Sequence, residues 1–418
     1  IFVLNQSNKV KENNMKKNKF AIILLLTNLF IAFVGFGLVT PVMPSFMNEM
    51  NLSGSIMGYL MAAFAFSEFI FSIFAVKWLD RFGRKSMIVL GLFIFSLSEF
   101  IFGIGQTVEV LFLSRILGGL AAGLIMPAVM AFIGDITTHD ERAKAMGFVS
   151  AAISLGFIIG PGIGGFLAGY GIRVPFYFAA AIACVVAFIS LFSLKEPLTQ
   201  EELWKRQQTS KQTSFFKDIR KSFKPMYFTA FFIIFILSFG LAAYETVFSL
   251  FTDHKFGFTP SDIALIITVS SLIAVVVQLL FFDKLVNLLG EKKLIQICLV
   301  IAAVFAFLST VVGTFAIILG VSCIIFLCFD LLRPALTTYL SRAAESEQAY
   351  VAGMNSAYTS LGNIAGPALA GILFDWNINF PYLFSGLTLL FGFGVTWLWK
   401  AKQFGHASKA NHLYHTDG

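Results

Sequence analysis

Gly147-Phe-Val-Ser-Ala-Ala-Ile-Ser-Leu-Gly156-Phe-Ile-Ile-Gly160-Pro161 recurs 206 positions later as Gly353-Met-Asn-Ser-Ala-Tyr-Thr-Ser-Leu-Gly362-Asn-Ile-Ala-Gly366-Pro367. At nearly the same spacing Pro127 matches Pro334, Pro175 matches Pro381, and Gly83-Arg84-Lys85 corresponds to Gly290-Glu291-Lys292. Self-similarity at a fixed offset marks a chain built from two related halves. Residues 195–224 join them. They hold eight basic and four acidic residues, Pro197 and no long apolar run, which reads as a cytoplasmic linker.

The solvent of each half follows from composition. Of 418 residues, 57% are apolar and 13% charged, where a soluble chain carries about 25% charged. Twelve apolar stretches are long enough to cross about 30 Å of hydrocarbon at about 1.5 Å per residue. They run over 20–46, 53–76, 86–105, 108–133, 146–167, 174–194, 226–251, 261–282, 294–312, 314–340, 351–374 and 381–399. The expected fold is an all-α membrane protein whose twelve transmembrane helices form two pseudo-symmetric six-helix bundles. The expected divisions are an N-terminal tail 1–19, a bundle 20–194, the linker 195–224, a bundle 225–400 and a tail 401–418.

The net charge of +7 reflects topology, and no nucleic-acid partner is expected. With the N-terminus inside, the inner segments carry 26 of the 30 Lys and Arg residues. The outer loops carry only Arg173 and Lys255, and the spans Arg115 and Arg333. That asymmetry puts both termini in the cytoplasm. Residues 1–19 have no apolar run followed by a small-residue cleavage site, so the first span is expected to direct insertion. Met15-Lys16-Lys17-Asn18-Lys19 reads as an ordinary start, with residues 1–14 upstream of it.

Several chemistries are excluded. Cys184, Cys298, Cys323 and Cys328 lie in apolar stretches without metal-ligand spacing, and His139, His254, His406, His412 and His415 lie in loops or the tail. No metal and no cofactor are expected. Gly83-Arg84-Lys85-Ser86 is only a fragment of a phosphate-binding loop, which argues against an ATP-driven pump.

The repeat, the loop Asp80-Arg81-Phe82-Gly83-Arg84-Lys85 and the Gly/Pro-rich fifth span resemble the major facilitator superfamily over residues 16–400. More narrowly, Leu26-Thr-Asn-Leu-Phe-Ile-Ala-Phe33, Gly160-Pro-Gly-Ile-Gly-Gly165, Phe329-Asp330-Leu-Leu-Arg333-Pro334 and the Asn355/Asn363 span are similar to its drug:proton antiporters with twelve spans, of the NorA and Bmr type. The resemblance implies a proton-coupled multidrug efflux antiporter in a bacterial cell membrane. It would export hydrophobic, often cationic or zwitterionic drugs (dyes, quaternary ammonium compounds, fluoroquinolones) as a monomer by alternating access, with drugs, protons and the lipid bilayer as its partners. The alternative within the same fold is a proton-linked exporter of a defined metabolite such as a sugar or polyamine.

The motifs divide by chemistry. In the loop, Asp80 can cap a helix or pair with a base, Gly83 permits a tight turn, and Arg81, Arg84 and Lys85 either set topology alone or, by resemblance, form a charged latch between the halves. In the fifth span, Gly147, Gly156, Gly160, Pro161, Gly164 and Gly165 match the superfamily's antiporter signature at every fixed position. Small residues there allow close helix packing and Pro161 removes a helical hydrogen bond. The stretch is either a packing face common to importers and exporters or, by resemblance, a mark of export.

Ionised side chains inside spans cost roughly 2.5–3.5 kcal/mol on insertion scales, so they should face a cavity or one another. Here they are Glu68, Glu99, Arg115, Glu245, Asp330 and Arg333. Glu99 and Arg115 sit at similar depth, so an ion pair accounts for both; by resemblance Arg115 is also linked to proton coupling. Asp330 and Arg333 share a helix face, which suits either a static salt bridge or a functional acid. Glu245 has no base in its own span and is the better candidate for a titrating carboxyl. Resemblance makes Glu245 and Asp330 the acidic pair for protons and cationic drugs. Glu68 shares a face with Phe64 and Phe71; a protonation site, a cation contact and a silent protonated acid remain equal readings. Phe33, Phe64 and Phe157 match cavity positions of the family, and Phe248 and Phe326 lie one turn from Glu245 and Asp330. Ring faces suit delocalised cations, although with 50 Phe in the chain any single ring can equally face lipid. Asn355 and Asn363 either bond between helices or contact substrate.

Overall fold

The structure is a computed structural model that describes residues 2–209, 215–223, 225–344 and 348–397. The expected tail 401–418 lies outside the described residues. The described residues are helical almost throughout. In chain order the helices are α1 (Phe2–Val39), α2 (Met43–Glu49), α3 (Gly54–Phe82), α4 (Arg84–Ile104), α5 (Val108–Ile136), α6 (His139–Ala168), α7 (Val174–Ser193), α8 (Gln200–Thr209), α9 (Phe215–Ser222), α10 (Pro225–Phe256), α11 (Pro260–Leu289), α12 (Glu291–Ser309), α13 (Phe315–Ala344), α14 (Gln348–Trp376) and α15 (Phe380–Trp397).

Twelve of these are long, and eleven are also apolar enough to cross a membrane by length and composition. The twelfth, α14, carries Asn355, Asn363 and Asp375, which lower its hydropathy. The first expected span, 20–46, is interrupted: α1 stops at Val39 and a separate α2 begins at Met43. Pro41 and Pro44 lack the N–H that an unbroken helix would need there. The linker also holds two short helices, α8 and α9. At the start of α8, Thr199 and Glu202 cap each other, with Thr199 N–H donating to Glu202 Oε2 at 2.8 Å. That backbone hydrogen bond holds the Glu202 carboxyl below the usual carboxylate range.

The chain divides into two compact units. The first comprises residues 1–212, 245–272 and 367–378, and the second 213–244, 273–366 and 379–418. In the first unit α1 packs on α6 and α7, α3 on α5, and α4 on α5 and α7. Leu25, Leu29, Ile88, Leu92, Phe95, Ala128 and Phe132 fill the space among them. In the second unit α12 packs on α13 and α15, and Ser385 Oγ donates to the Gly240 carbonyl at 3.0 Å, tying α15 to α10.

Glycines govern how closely these helices approach. A Cβ at Gly156 would stand 2.7 Å from Phe33 Cβ, one at Gly160 2.7 Å from the Val34 carbonyl oxygen, and one at Gly164 against the Leu38 backbone. The fifth-span motif therefore seats α6 on α1, and α6 continues helically through Pro161. The second copy behaves alike: Cβ atoms at Gly362 and Gly366 would meet the α10 backbone at Phe239 N (2.7 Å) and Ala243 N (3.1 Å). Gly147 and its counterpart Gly353 both face open space. The sequence repeat is thus also a repeat of packing.

Candidate functional site

In the first unit an aromatic ladder joins three of the expected cavity rings. Phe157 meets Phe33 at 5.0 Å, Phe33 meets Phe36 at 5.5 Å, and Phe36 meets Phe64 at 5.3 Å, all edge-on. Such pairs contribute roughly 0.5–1.5 kcal/mol beyond burial. Gly156 makes the first contact possible, because a side chain there would displace Phe33. Phe157 at the end of the ladder is 45% exposed, leaving an uncovered ring face. Phe36, the linking ring, was not singled out from sequence; its place three residues after Phe33 was the available signal.

Glu68 lies one turn beyond Phe64 on α3, and Cβ atoms at Gly119 and Gly123 of α5 would press on its backbone N and O, each at 2.9 Å. Its carboxyl is half-buried and, among the described residues, has no hydrogen-bond or ion-pair partner. Glu245, on the stretch of α10 that belongs to this unit, is exposed. Phe248, one turn on, is 3% exposed and therefore packed inside.

Glu99 and Arg115 form an ion pair. Arg115 Nη2 donates to Glu99 Oε1 at 3.2 Å, and the guanidinium carbon sits 4.2 Å from the Phe102 ring centre. Both residues are buried, and among the described residues Glu99 Oε2, Arg115 Nε and the Ser98 hydroxyl have no hydrogen-bond partner. Removing one member of such a pair strands a buried charge at a cost of about 3–5 kcal/mol, whereas replacing both by apolar residues is often neutral or stabilising. Accordingly Arg115→Ala should sharply lower the thermal midpoint of the purified protein in detergent. The double variant Glu99→Leu/Arg115→Met should recover most of the loss, and a double variant no more stable than the single one would contradict this.

The loop between α3 and α4 is a charged cluster within the first unit. Gly83 turns the chain at φ +84°, and a Cβ there would strike the Glu196 carboxylate. Glu196 accepts from the N–H groups of Arg84 (3.0 Å) and Lys85 (2.9 Å), neutralising the start of α4. The buried Arg84 bonds Asp135 (2.8 Å), the Leu79 carbonyl (2.8 Å) and Asp80 (3.4 Å), and Arg206 of α8 completes the cluster on Asp135 at 2.9 Å. Arg81 remains outside it, near the Phe82 ring. Glu196, Asp135 and Arg206 were not singled out from sequence, because nothing in their local spacing links them to the loop.

In the second unit Asp330 is half-buried and Arg333, on the same face of α13, is exposed. No ion pair joins them among the described residues. Phe326 faces Tyr244 at 6.5 Å, and Tyr244, the residue before Glu245, is 1% exposed against Phe329 and Tyr382. Asn355 and Asn363 are half-buried and make no hydrogen bond among the described residues. Their amides are therefore open to another molecule.

Twelve long helices, a duplicated packing motif and acids inside spans narrow the family, and sequence comparison decides it. A profile of the Major Facilitator Superfamily matches residues 25–254 and 230–413. The chain belongs to the Major Facilitator Superfamily. As a member it is a multi-pass membrane transporter rather than an enzyme. It is 60% identical to "Multidrug resistance protein 2" of Bacillus subtilis (strain 168) over 94% of this chain and 98% of that protein. It is 38% identical to "Quinolone resistance protein NorA" of Staphylococcus aureus (strain COL) over 88% and 94%. Among solved structures, that of the nucleoside transporter NupG superposes with a TM-score of 0.74 at 18% identity, covering 91% of this chain and 99% of that one. At that identity the likeness establishes the superfamily fold. The antiporter signature on α6 is accordingly, in this superfamily member, a seam against α1.

Proposed function

We propose that this chain is a proton-coupled multidrug efflux antiporter. In this reading 20–194 and 225–400 are its two six-helix bundles, 195–224 is their linker, and both termini face the cytoplasm of a bacterial cell whose membrane the protein spans as a monomer. High identity over nearly the full length to proteins named for multidrug and quinolone resistance supports drugs as cargo. The observation that carries the mechanism is that Asp330, an acid inside a membrane span, has neither an ion pair nor a hydrogen bond among the described residues.

An acid so placed is available to a proton or to a cation, and not to both at once. Binding of the drug displaces the proton, and alternation of the binding site between the two faces then carries protons in and drug out. Exchange of one proton for one monovalent cation moves no net charge, so the pH difference drives it, at about 1.4 kcal/mol per pH unit. In this reading Glu245, Asp330, Arg333, Arg115 and Glu68 serve proton coupling and drug binding. The Phe157–Phe33–Phe36–Phe64 ladder offers ring faces to flat cations. Because apolar and aromatic walls carry few directional polar groups, cargo of many shapes fits.

The test is transport itself: purified protein in liposomes, an imposed pH gradient, and ethidium or a fluoroquinolone as cargo. Ethidium should move against its gradient only while the pH difference lasts. Movement of a sugar or polyamine under the same gradient, with none of either drug, would support the metabolite exporter instead.

A further inference from the structure

The two copies of the fifth-span motif do more than seat α6 on α1 and α14 on α10. Past its proline, each helix crosses to a third partner within the first unit. Gly165 of α6 lies against the Pro260 carbonyl and Ala264 at the start of α11, and Ser261 Oγ donates to the Gly165 carbonyl at 3.3 Å. Gly371 of α14, 206 positions later, lies against Gly54 at the start of α3, and Gly58 against the Pro367 carbonyl. The two seams are related by the repeat, residue for residue: 165 with 371, 260 with 54, 264 with 58. By the charge distribution both lie at the face away from the basic loops.

They differ in one respect. At the α3·α14 seam Asp375 spans 320 residues of sequence to the start of α3: its Oδ1 accepts from Gly54 N–H at 2.7 Å, its Oδ2 from Ser55 N–H at 2.9 Å, and Oδ2 also from the Ser55 hydroxyl. A carboxylate at a helix start satisfies N–H groups that have no partner within the helix and meets the positive end of its dipole. At the other seam the position equivalent to Asp375 is Gly169, which ends α6 and offers no side chain. The start of α11 caps itself instead, Thr259 N–H donating to Asp262 at 3.0 Å and Asp262 N–H to Thr259 Oγ1 at 3.3 Å. The α6·α11 seam is therefore held by small-residue packing and two long hydroxyl bonds, from Ser261 to the Gly165 carbonyl and from Thr268 to the Ile158 carbonyl at 3.2 Å, and the α3·α14 seam by small-residue packing and a charged three-bond clasp.

We infer that Asp375 is a latch that holds α3 to α14, and that its release from the start of α3 is a step in opening this end of the transporter. Ser53 caps the Ile56 N–H at 3.4 Å from within the same segment, whereas the Gly54 and Ser55 N–H groups are taken by a residue 320 positions away on a different helix, so this cap also ties two helices together. A long-range clasp earns its place only if the two helices would otherwise part. The proposal rests on the alternating-access reading above, and its test reads the seam rather than export, so the two can fail separately.

The test is amide hydrogen exchange, followed by mass spectrometry, on the full chain in lipid nanodiscs. In Asp375→Asn, exchange over 54–58 is expected to rise about three- to tenfold relative to the unaltered chain. Residues 261–266 of α11, which Asp375 does not touch, should rise in step, because opening parts both seams together. No rise, or a rise confined to 54–58, would overturn the latch and leave Asp375 a local helix cap. Should Asp375→Asn fail to fold, Ser55→Ala removes one of the three bonds and keeps the carboxylate. It should give a smaller rise, again at both seams, and a rise at one alone overturns the proposal equally.

Discussion

Asp330→Asn and Glu245→Gln should each abolish drug accumulation driven by a pH gradient while leaving the protein inserted and folded. A gradient of two pH units is worth about 2.8 kcal/mol per proton, or roughly a hundredfold in accumulation, and a variant that cannot exchange a proton for the drug forfeits it. The environment of Asp330 makes its substitution a clean test. Had it been locked to Arg333, neutralising it would strand a charge and unfold the site. It is not: the two share a face of α13 without an ion pair, and Arg333 is exposed. Glu245 is likewise exposed on α10, next to the Tyr244 ring that anchors the helix against Phe329 and Tyr382. Liposomes carrying each variant should show facilitated drug equilibration at most, with unchanged protein yield and melting. Full accumulation in both variants would remove these acids from coupling.

Gly160→Leu should be as damaging for a different reason. The new side chain would meet the Val34 carbonyl oxygen and, at 2.9 Å, the Gly37 Cα, both of them backbone atoms that cannot turn aside. Overpacking typically costs about 1–3 kcal/mol, and a leucine driven against a helix backbone belongs at the upper end, with α1 and α6 forced apart. Gly366→Leu should do the same to α14 and α10, where a Cβ would already press on Phe239 and Ala243. Gly147→Leu is the control, since nothing lies within 4 Å of a Cβ there, and a surface change of that kind stays within about 0.5 kcal/mol. Thermal melts in detergent should rank Gly147→Leu with the unaltered chain and Gly160→Leu well below it. Equal melting of the two would mean that the motif glycines are not a packing seam.

That contrast illustrates what sequence can and cannot carry. The repeat was legible because membrane helices that touch by their backbones need glycine at fixed intervals, and that need leaves a pattern. Gly147 belongs to the same pattern, yet a side chain there would meet no neighbouring helix, so a motif match alone did not separate packing positions from the rest. Asp330 and Glu68 stood out because charge is rare in lipid. That neither makes a hydrogen bond or ion pair among the described residues could not be read, since it depends on which helices lie opposite. Asp135, Glu196, Arg206 and Asp375 escaped notice for the converse reason. They are ordinary charges near helix ends, and only the folding of distant segments brings them to Arg84 or to the start of α3. The break between α1 and α2 was in the sequence as Pro41 and Pro44, but the apolar run through them concealed it.

The measurement closest to the central claim is drug affinity as a function of pH, by equilibrium binding of ethidium to purified protein with no gradient present. If one proton and one monovalent cation exclude each other at a shared acid, affinity is constant above the midpoint of that acid. Below it, each unit fall in pH weakens binding tenfold, or about 1.4 kcal/mol. Asp330→Asn should flatten that dependence. An affinity that does not change with pH across the range in which the acid takes up its proton would contradict the account.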